Sequence, residues 1–109
     1  MDLPGEIIGK IFAYCELVQE GKPAAMLPIQ VRYENEAKIV IQNYGLNDYI
    51  EQLADGWLTL WIYKLPHILE IIKSMPQAPK TTYEHWVLGK LFGYSEEAIR
   101  DFINLNFVE

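Results

Sequence analysis

The sequence predicts an α+β fold, in which a small antiparallel sheet of about three strands packs with roughly four to five helices. Apolar residues recur at helical spacing towards both ends of the chain, whereas they alternate with polar residues in its middle. Half of the 109 residues are apolar, which is enough to bury one sizeable core. Residues 1–109 are therefore expected to form a single domain.

An amphipathic helix is expected to open the chain. Asp2 can cap the first free amides, and Pro4 suits the first turn, where its missing N–H costs nothing. Gly21, followed by Lys22 and Pro23, is expected to end the helix. The inward side is apolar and carries Ile7, Ile8, Ile11, Phe12, Cys15 and Val18.

Residues 26–44 are predicted to form a β-hairpin. Alternating apolar residues make the first strand, and Pro28 places that strand at an edge of the sheet because it cannot donate to a ladder. A polar turn at 34–36 leads to a return strand at 38–42. The alternative is a helix over residues 35–43, which ranks second because three β-branched residues follow one another there.

The middle of the chain is predicted to continue with a helix, a strand and a second helix. Asn47 can cap a short helix over residues 48–54. The segment 57–63, WLTLWIY, is rich in aromatic and branched residues and is expected to be the central strand. Pro66 then suits the first turn of a helix over residues 67–75.

The C-terminal region, residues 83–104, is predicted to form two helices joined by a tight turn. Gly93 is expected to end the first helix in the left-handed conformation, and Ser95 to cap the second. Gly89 lies four positions before the turn glycine, and Ile99 lies six positions after it. This spacing resembles the helix-turn-helix motif, so the fold should end in a helix-turn-helix-like hairpin.

Charge argues against DNA recognition by this hairpin. The chain has a formal net charge of −6, and Glu96, Glu97 and Asp101 border the face that would meet DNA. Each phosphate contact requires a cation, whereas the net charge around this face is negative. A hairpin that is structural or binds a protein is favoured, nucleic acid is not an expected partner, and a DNA-binding regulator is the alternative function.

Catalytic, metal and cofactor sites are not predicted. His85 follows Glu84 and could serve as a general acid–base group if an open cleft existed, so a small enzyme or ligand-binding domain centred on His85 is a further alternative. Cys15, on the apolar side of its helix, is expected to be a small core residue. The sequence has no HxxxH or CxxC spacing, and its dispersed glycines make no phosphate-binding loop.

Aromatic side chains give the first of two candidate interaction surfaces. In a strand over 57–63, Trp57 and Trp61 point to the same face, and tryptophan is enriched at binding hot spots. Because both faces of this strand are largely apolar, the alternative is a core strand covered on both sides. The second cover would be more helices, a partner or a homodimer mate.

Acidic side chains give the second candidate surface. Its members, in the middle and the C-terminal part of the chain, are Glu34, Glu36, Asp48, Glu51, Asp55, Glu96, Glu97 and Asp101. If the two groups meet, they suit a partner with a basic surface. Ordinary solvated charge on a small protein is the alternative explanation.

These observations predict a small, acidic, non-catalytic protein-interaction module. Its size and acidity suit an inhibitor encoded by a phage or mobile element, of the anti-defence or immunity type. The single cysteine fits a reducing compartment, and the N-terminus lacks the pattern of a secretory signal. The stretch 57–63 is too short to span a bilayer, so no membrane contact and a cytoplasmic location are expected.

Overall fold

The computed structural model describes residues 4–75 and 79–107 and shows an α+β fold, as predicted. A three-stranded antiparallel sheet packs with five helices in this part of the chain. The elements are α1 (Gly5–Gln19), β1 (Ala24–Gln30), α2 (Glu34–Asn43), β2 (Asn47–Ala54), β3 (Trp57–Tyr63), α3 (Pro66–Ser74), α4 (Thr82–Leu91) and α5 (Glu96–Phe107).

The strand order is β1-β3-β2, so β3 is the central strand, as the sequence predicts. Both neighbours of β3 run antiparallel to it. Pro28 lies in β1, at one edge of the sheet, where it pairs with Thr59 of β3. This position confirms the expectation drawn from its missing N–H.

The predicted hairpin over 26–44 is wrong, and the helical alternative is confirmed. After β1 the chain makes a 3₁₀ turn over Val31–Tyr33 and continues directly into α2. Ala37 and Ile41, one helical turn apart, are both fully buried in the core. That burial outweighs the weak helix propensity of the β-branched residues, because tertiary packing contributes more than propensity.

The predicted helix over 48–54 is also wrong, since these residues belong to β2. Asp55 and Gly56 connect β2 to β3 in a tight hairpin, and Gly56 has a positive φ of 76°. Asp-Gly between two strand-forming segments is the strongest short-range hairpin signal, because such turns need a residue that tolerates positive φ. Asn47 accordingly begins β2 and does not cap a helix.

Helices cover both faces of the sheet. Leu58, Leu60 and Ile62 of β3 are buried in a cluster with α1 and α2. Trp61 and Tyr63, on the opposite face, are buried in a second cluster with α3 and α4. The two clusters together form the core, with the sheet as the middle layer.

The remaining predicted helices are present. Pro66 occupies the first position of α3. Gly93 has a positive φ of 80° between α4 and α5, and the Ser95 hydroxyl accepts the amide of Ala98 at 3.1 Å. The predicted cap at Asp2 lies outside the described residues. No helix in the described ranges has the length and apolar character needed to cross a membrane.

Candidate binding cleft on the sheet

An open cleft of ≈ 220 Å³ lies on the face of the sheet that α3 and α4 cover. All three strands contribute to it, together with the end of α3 and the middle of α4. Its lining consists of Met26, Pro28, Glu51, Leu53, Thr59, Trp61, Met75 and Leu88. We call this feature the Trp61 cleft.

Strand register explains why these side chains meet. Met26 of β1 pairs with Trp61, and Glu51 of β2 pairs with Thr59, so all four side chains share one face of the sheet. The pairing of β2 shifts between Gln52 and Ala54, which marks a β-bulge. Leu53, two residues after Glu51, lies on the same face of β2 and also lines the cleft.

Two contacts fix the Trp61 side chain. Its indole ring stacks on Phe92, with centroids 5.7 Å apart and an interplanar angle of 7°. Its indole nitrogen donates a hydrogen bond to Oε1 of Glu51 at 2.9 Å. Trp61 is only 4 % exposed, so it forms a rigid aromatic wall rather than a mobile surface group.

Among the residues that the structure describes, the polar side chains lining the cleft are those of Glu51 and Thr59. Neither histidine lines it: the His85 ring lies against Phe102, with centroids 5.4 Å apart, and His67 is exposed on α3. His85 is therefore not positioned to act as a general acid or base in the Trp61 cleft.

The single thiol is not positioned for nucleophilic chemistry. Cys15 is fully buried in α1, and burial, together with the charge of Glu16, raises its pKa to about 11. A buried cysteine with a raised pKa is inert, because the thiolate is the reactive form. Across the described part of the chain, no group of three or more His, Cys, Asp or Glu residues could hold a metal ion.

The size of the cleft limits its occupant. Pockets for drug-sized ligands and cofactors enclose about 300–1,000 Å³. A cleft of ≈ 220 Å³ falls below that range but accommodates one large apolar side chain. The cleft thus has room for one such side chain and is smaller than a typical cofactor pocket.

The predicted aromatic residues separate in the structure. Trp57 and Trp61 lie on the same face of β3, as expected from their spacing. Trp57, at the start of the strand, is 41 % exposed, whereas Trp61 is buried below the cleft. Only Trp61 belongs to the cleft lining.

The predicted acidic residues of the middle segment fall on different sides of the sheet. Glu34 forms an ion pair with Lys38 at 2.9 Å, and this contact, with a smaller contribution from Asp48, raises the pKa of Lys38. Glu36 is half-buried on the same helix. Asp48 pairs with Ile62 on the α1 and α2 face, whereas Glu51 points to the cleft face. Asp55 is exposed in the β2–β3 turn.

The three predicted acids of the C-terminal hairpin lie on α5 and are exposed. Glu96 contacts Lys90 of α4 at 3.2 Å, which offsets part of its charge. Glu97 and Asp101 do not line the Trp61 cleft. Of the ten predicted interaction residues, Glu51 and Trp61 are the two that the Trp61 cleft brings together.

Sequence reasoning missed most of the apolar lining, namely Met26, Leu53, Met75 and Leu88. One signal could have revealed part of it. The Asp55-Gly56 turn implies that β2 and β3 pair, and the register that follows places Tyr49 and Glu51 beside Trp61 and Thr59. Met75 and Leu88 come from helices whose packing on the sheet has no local sequence signal.

Comparison of the chain with protein-family models, with curated proteins and with solved structures gave no match.

Proposed function

We propose that this protein is a small, non-catalytic interaction module that takes an apolar side chain of a partner protein into the Trp61 cleft. One observation carries this proposal: a rigid, buried tryptophan forms the wall of an open cleft whose other described lining residues are mostly apolar. Binding energy concentrates where an anchor side chain fills such a desolvated pocket. The predicted inhibitor of the anti-defence or immunity type would be one module of this kind.

Methionines make the cleft adaptable. Met26 and Met75 line it together with Trp61. Methionine is unbranched and polarisable, so it adjusts to apolar side chains of different shapes. We therefore expect Leu, Met or Phe as the anchor, rather than one obligatory side chain.

Charge defines the other requirement of the partner. Glu51 places a carboxylate in the cleft lining, and the whole chain has a net charge of −6. A carboxylate in the lining of a chain with net negative charge favours a ligand with lysine or arginine beside its apolar anchor and repels an acidic one. The proposed ligand is therefore a basic segment with one exposed apolar residue.

Short synthetic peptides with a central leucine test this proposal. One set carries lysine on both sides of the leucine, and the matched set carries glutamate. We expect the lysine peptides to bind, to shift the amide resonances of Thr59 and Trp61, and to lose affinity as salt is added. Equal binding of both sets, or shifts confined to other elements, would contradict the proposal.

Two matched pairs of variants locate the binding site. Leu53→Ala should weaken binding of the lysine peptides by about fivefold or more. Leu17 lies on α1 and is about as exposed as Leu53, so Leu17→Ala should leave binding unchanged. Glu51→Gln should weaken binding and flatten its salt dependence. Glu6→Gln removes the same charge from α1 and serves as the control.

DNA reading by α4 and α5 is the second candidate function, and one contact favours it. A Cβ at Gly89 would lie 2.6 Å from Cγ1 of Ile99, so α4 and α5 approach closely at the glycine that matches the helix-turn-helix spacing. Glu96 and Glu97 in the first turn of α5 oppose it. Titration of duplex DNA at low ionic strength, where attraction is strongest, decides: absence of binding excludes this function.

A further inference from the structure

We propose that a second cleft, between the loop after α1 and the loop before α3, binds a small phosphate monoester with an apolar body. This cleft lies at the end of the sheet where β1 begins and β3 ends, since Ala24 pairs with Tyr63 there. Its volume is ≈ 360 Å³, and we call it the Lys64 cleft. Its described lining residues do not overlap with those of the Trp61 cleft, so the inference goes beyond the proposed function and is tested separately from it.

Three side chains with N–H donors line the Lys64 cleft: Lys22 from the first loop, and Lys64 and His67 from the second loop and the start of α3. Each lysine carries a positive charge, and a histidine ring donates at least one N–H in either protonation state. Among the described residues, no carboxylate lines this cleft. In a chain with 15 acids and nine bases, the cleft therefore concentrates positive charge locally.

The two lysines of the cleft are not neutralised within the described part of the chain. Lys38, by contrast, forms an ion pair with Glu34 at 2.9 Å. No described carboxylate forms an ion pair with Lys22 or Lys64. The ammonium of Lys22 lies 5.7 Å from the centroid of the Tyr94 ring, and this cation–π contact leaves its positive charge in place. Both charges are therefore available to an anionic ligand.

Backbone hydrogen bonds hold the two loops of the cleft. Nδ2 of Asn47 donates to the carbonyl of Lys64 at 3.1 Å, and the amide of Lys22 donates to the carbonyl of Leu17 at 3.0 Å. These bonds engage backbone atoms of the two lysines and leave their ammonium groups unused. The positions from which both side chains extend are thus fixed before a ligand binds.

Apolar side chains supply another part of the lining. Val18 and Ile68 are almost fully buried, whereas Leu65 is half-exposed. A volume of ≈ 360 Å³ falls within the range of about 300–1,000 Å³ that is usual for small-molecule sites. The cleft therefore has room for an apolar body as well as a charged group.

The donors of the cleft match a phosphate better than a carboxylate. A phosphate monoester carries a charge of about −1.5 to −2 at pH 7 and has three strong acceptor oxygens. Two ammonium groups and one imidazole supply two positive charges and three side-chain donors. A carboxylate has a single charge and two oxygens, so it leaves one donor and one charge without a partner.

Distant acids do not cancel this local attraction. The net charge of −6 repels an anion at long range, but exposed charges are largely screened beyond about 8 Å at physiological ionic strength. Glu20 follows α1 and lines a neighbouring groove together with Tyr94, and it does not line the Lys64 cleft. For a ligand in contact with the cleft, the two lysines therefore dominate.

Titration of the full chain with phenyl phosphate, followed by amide chemical shifts at physiological ionic strength, tests the proposal. We expect a saturable shift at Gly21, Lys22, Lys64 and His67. Benzoate and phenol keep the ring and change the charge, and each should bind about tenfold more weakly or worse. Inorganic phosphate lacks the ring and should also bind more weakly. Absence of a saturable shift with phenyl phosphate, or equal binding of phenyl phosphate and any of these three ligands, overturns the proposal.

A matched pair of variants separates the cleft from net charge. Lys64→Gln removes one ammonium and should weaken binding of phenyl phosphate by about fivefold or more. Lys64 is exposed, and Asn47 bonds the backbone carbonyl at this position, so the substitution leaves that bond in place. Lys10→Gln removes the same charge from an exposed position of α1 and should change the affinity by less than about twofold. Equal effects of the two variants overturn the proposal.

The two clefts give different signals, so failure of one proposal is distinguishable from failure of the other. Phenyl phosphate should shift Gly21 and Lys64 and leave Thr59 unchanged. The lysine peptides designed for the Trp61 cleft should show the reverse pattern. Shifts by phenyl phosphate that are confined to the Trp61 cleft overturn the present inference.

Discussion

The indole nitrogen of Trp61 donates a hydrogen bond to Oε1 of Glu51 at 2.9 Å, across the pairing of β3 with β2. The bond joins the aromatic wall of the cleft to its carboxylate. A half-buried carboxylate that loses its donor retains the cost of its desolvation. The pair therefore affects both stability and ligand choice.

Trp61→Phe should destabilise the protein by about 1–3 kcal/mol, because it removes the donor to Glu51 but keeps an aromatic ring against Phe92. Urea denaturation followed by circular dichroism measures the change. Trp57→Phe is the control, since Trp57 is 41 % exposed, and it should change stability by less than about 0.5 kcal/mol. Equal effects of the two substitutions would show that the hydrogen bond contributes nothing.

Gly89→Ala should destabilise the C-terminal hairpin, although alanine is the better helix former. The added Cβ would lie 2.6 Å from Cγ1 and 2.9 Å from Cδ1 of Ile99, and overpacking of this kind costs about 1–3 kcal/mol. Gly9→Ala in α1 is the matched control, because nothing lies within 4 Å of its new Cβ. Gly9→Ala should stabilise the protein by about 0.5–1 kcal/mol. Thermal unfolding of both variants should shift in opposite directions, and a stabilised Gly89→Ala would refute the close approach of α4 and α5.

The thiol of Cys15 should react slowly in the folded protein. Burial, and then the charge of Glu16, raises the pKa of Cys15 to about 11, so at pH 8 its alkylation should be at least about a hundredfold slower than in the unfolded chain. The raised pKa also means that this group favours folding below pH 9, and that its contribution is lost as the pH rises towards 11. Mass spectrometry of iodoacetamide labelling, with and without urea, measures the rate. Rapid labelling without urea would contradict the burial of Cys15.

The capping box at the start of α4 should contribute stability that depends on acid. The backbone amides of Lys80 and Thr81 donate to Glu84 and lower its pKa, while the Thr81 hydroxyl accepts the amide of Glu84. The stabilisation is present above pH 4.5, the usual pKa of this carboxyl, and is lost as the pH falls further.

Thr81→Ala removes the hydroxyl of this capping box and should cost about 0.5–2 kcal/mol at neutral pH. Thr81→Ser retains the acceptor oxygen and is the control. Urea denaturation at pH 7 and at pH 3 measures the stability of both variants. The difference in stability between Thr81→Ala and Thr81→Ser should be larger at pH 7 than at pH 3. If Thr81→Ser is as destabilising as Thr81→Ala, the effect of Thr81→Ala is assigned to lost methyl packing instead of the cap.

Predictions from the sequence were correct where the signal is local. Pro66 at the start of α3, Gly93 between α4 and α5, and the Ser95 cap each act on adjacent residues, so neighbouring sequence is enough to identify them. The aromatic segment of β3 was also correctly assigned, because an apolar stretch of that length suits a strand that is covered on both faces.

Predictions failed where a distant partner decides the conformation. Residues 38–42 have strand propensity, but β1 finds its partner in β3, and Ala37 and Ile41 are buried when this segment is helical. There non-local packing outweighed a weak local preference. The segment 48–54 was mispredicted for a different reason: the adjacent Asp55-Gly56 turn, a short-range hairpin signal, pairs it with β3.

The sequence by itself determined the α+β composition, the helical hairpin at the C-terminus and the shared face of Trp57 and Trp61, because hydrophobic periodicity and caps are encoded locally. Only the tertiary structure decided that Trp61 is buried while Trp57 is exposed, and that Glu51 rather than Asp48 meets the indole. Those outcomes depend on strand register and on which helices cover each face. Register is a relationship between distant segments, and a shift of one residue would exchange the two faces of β2.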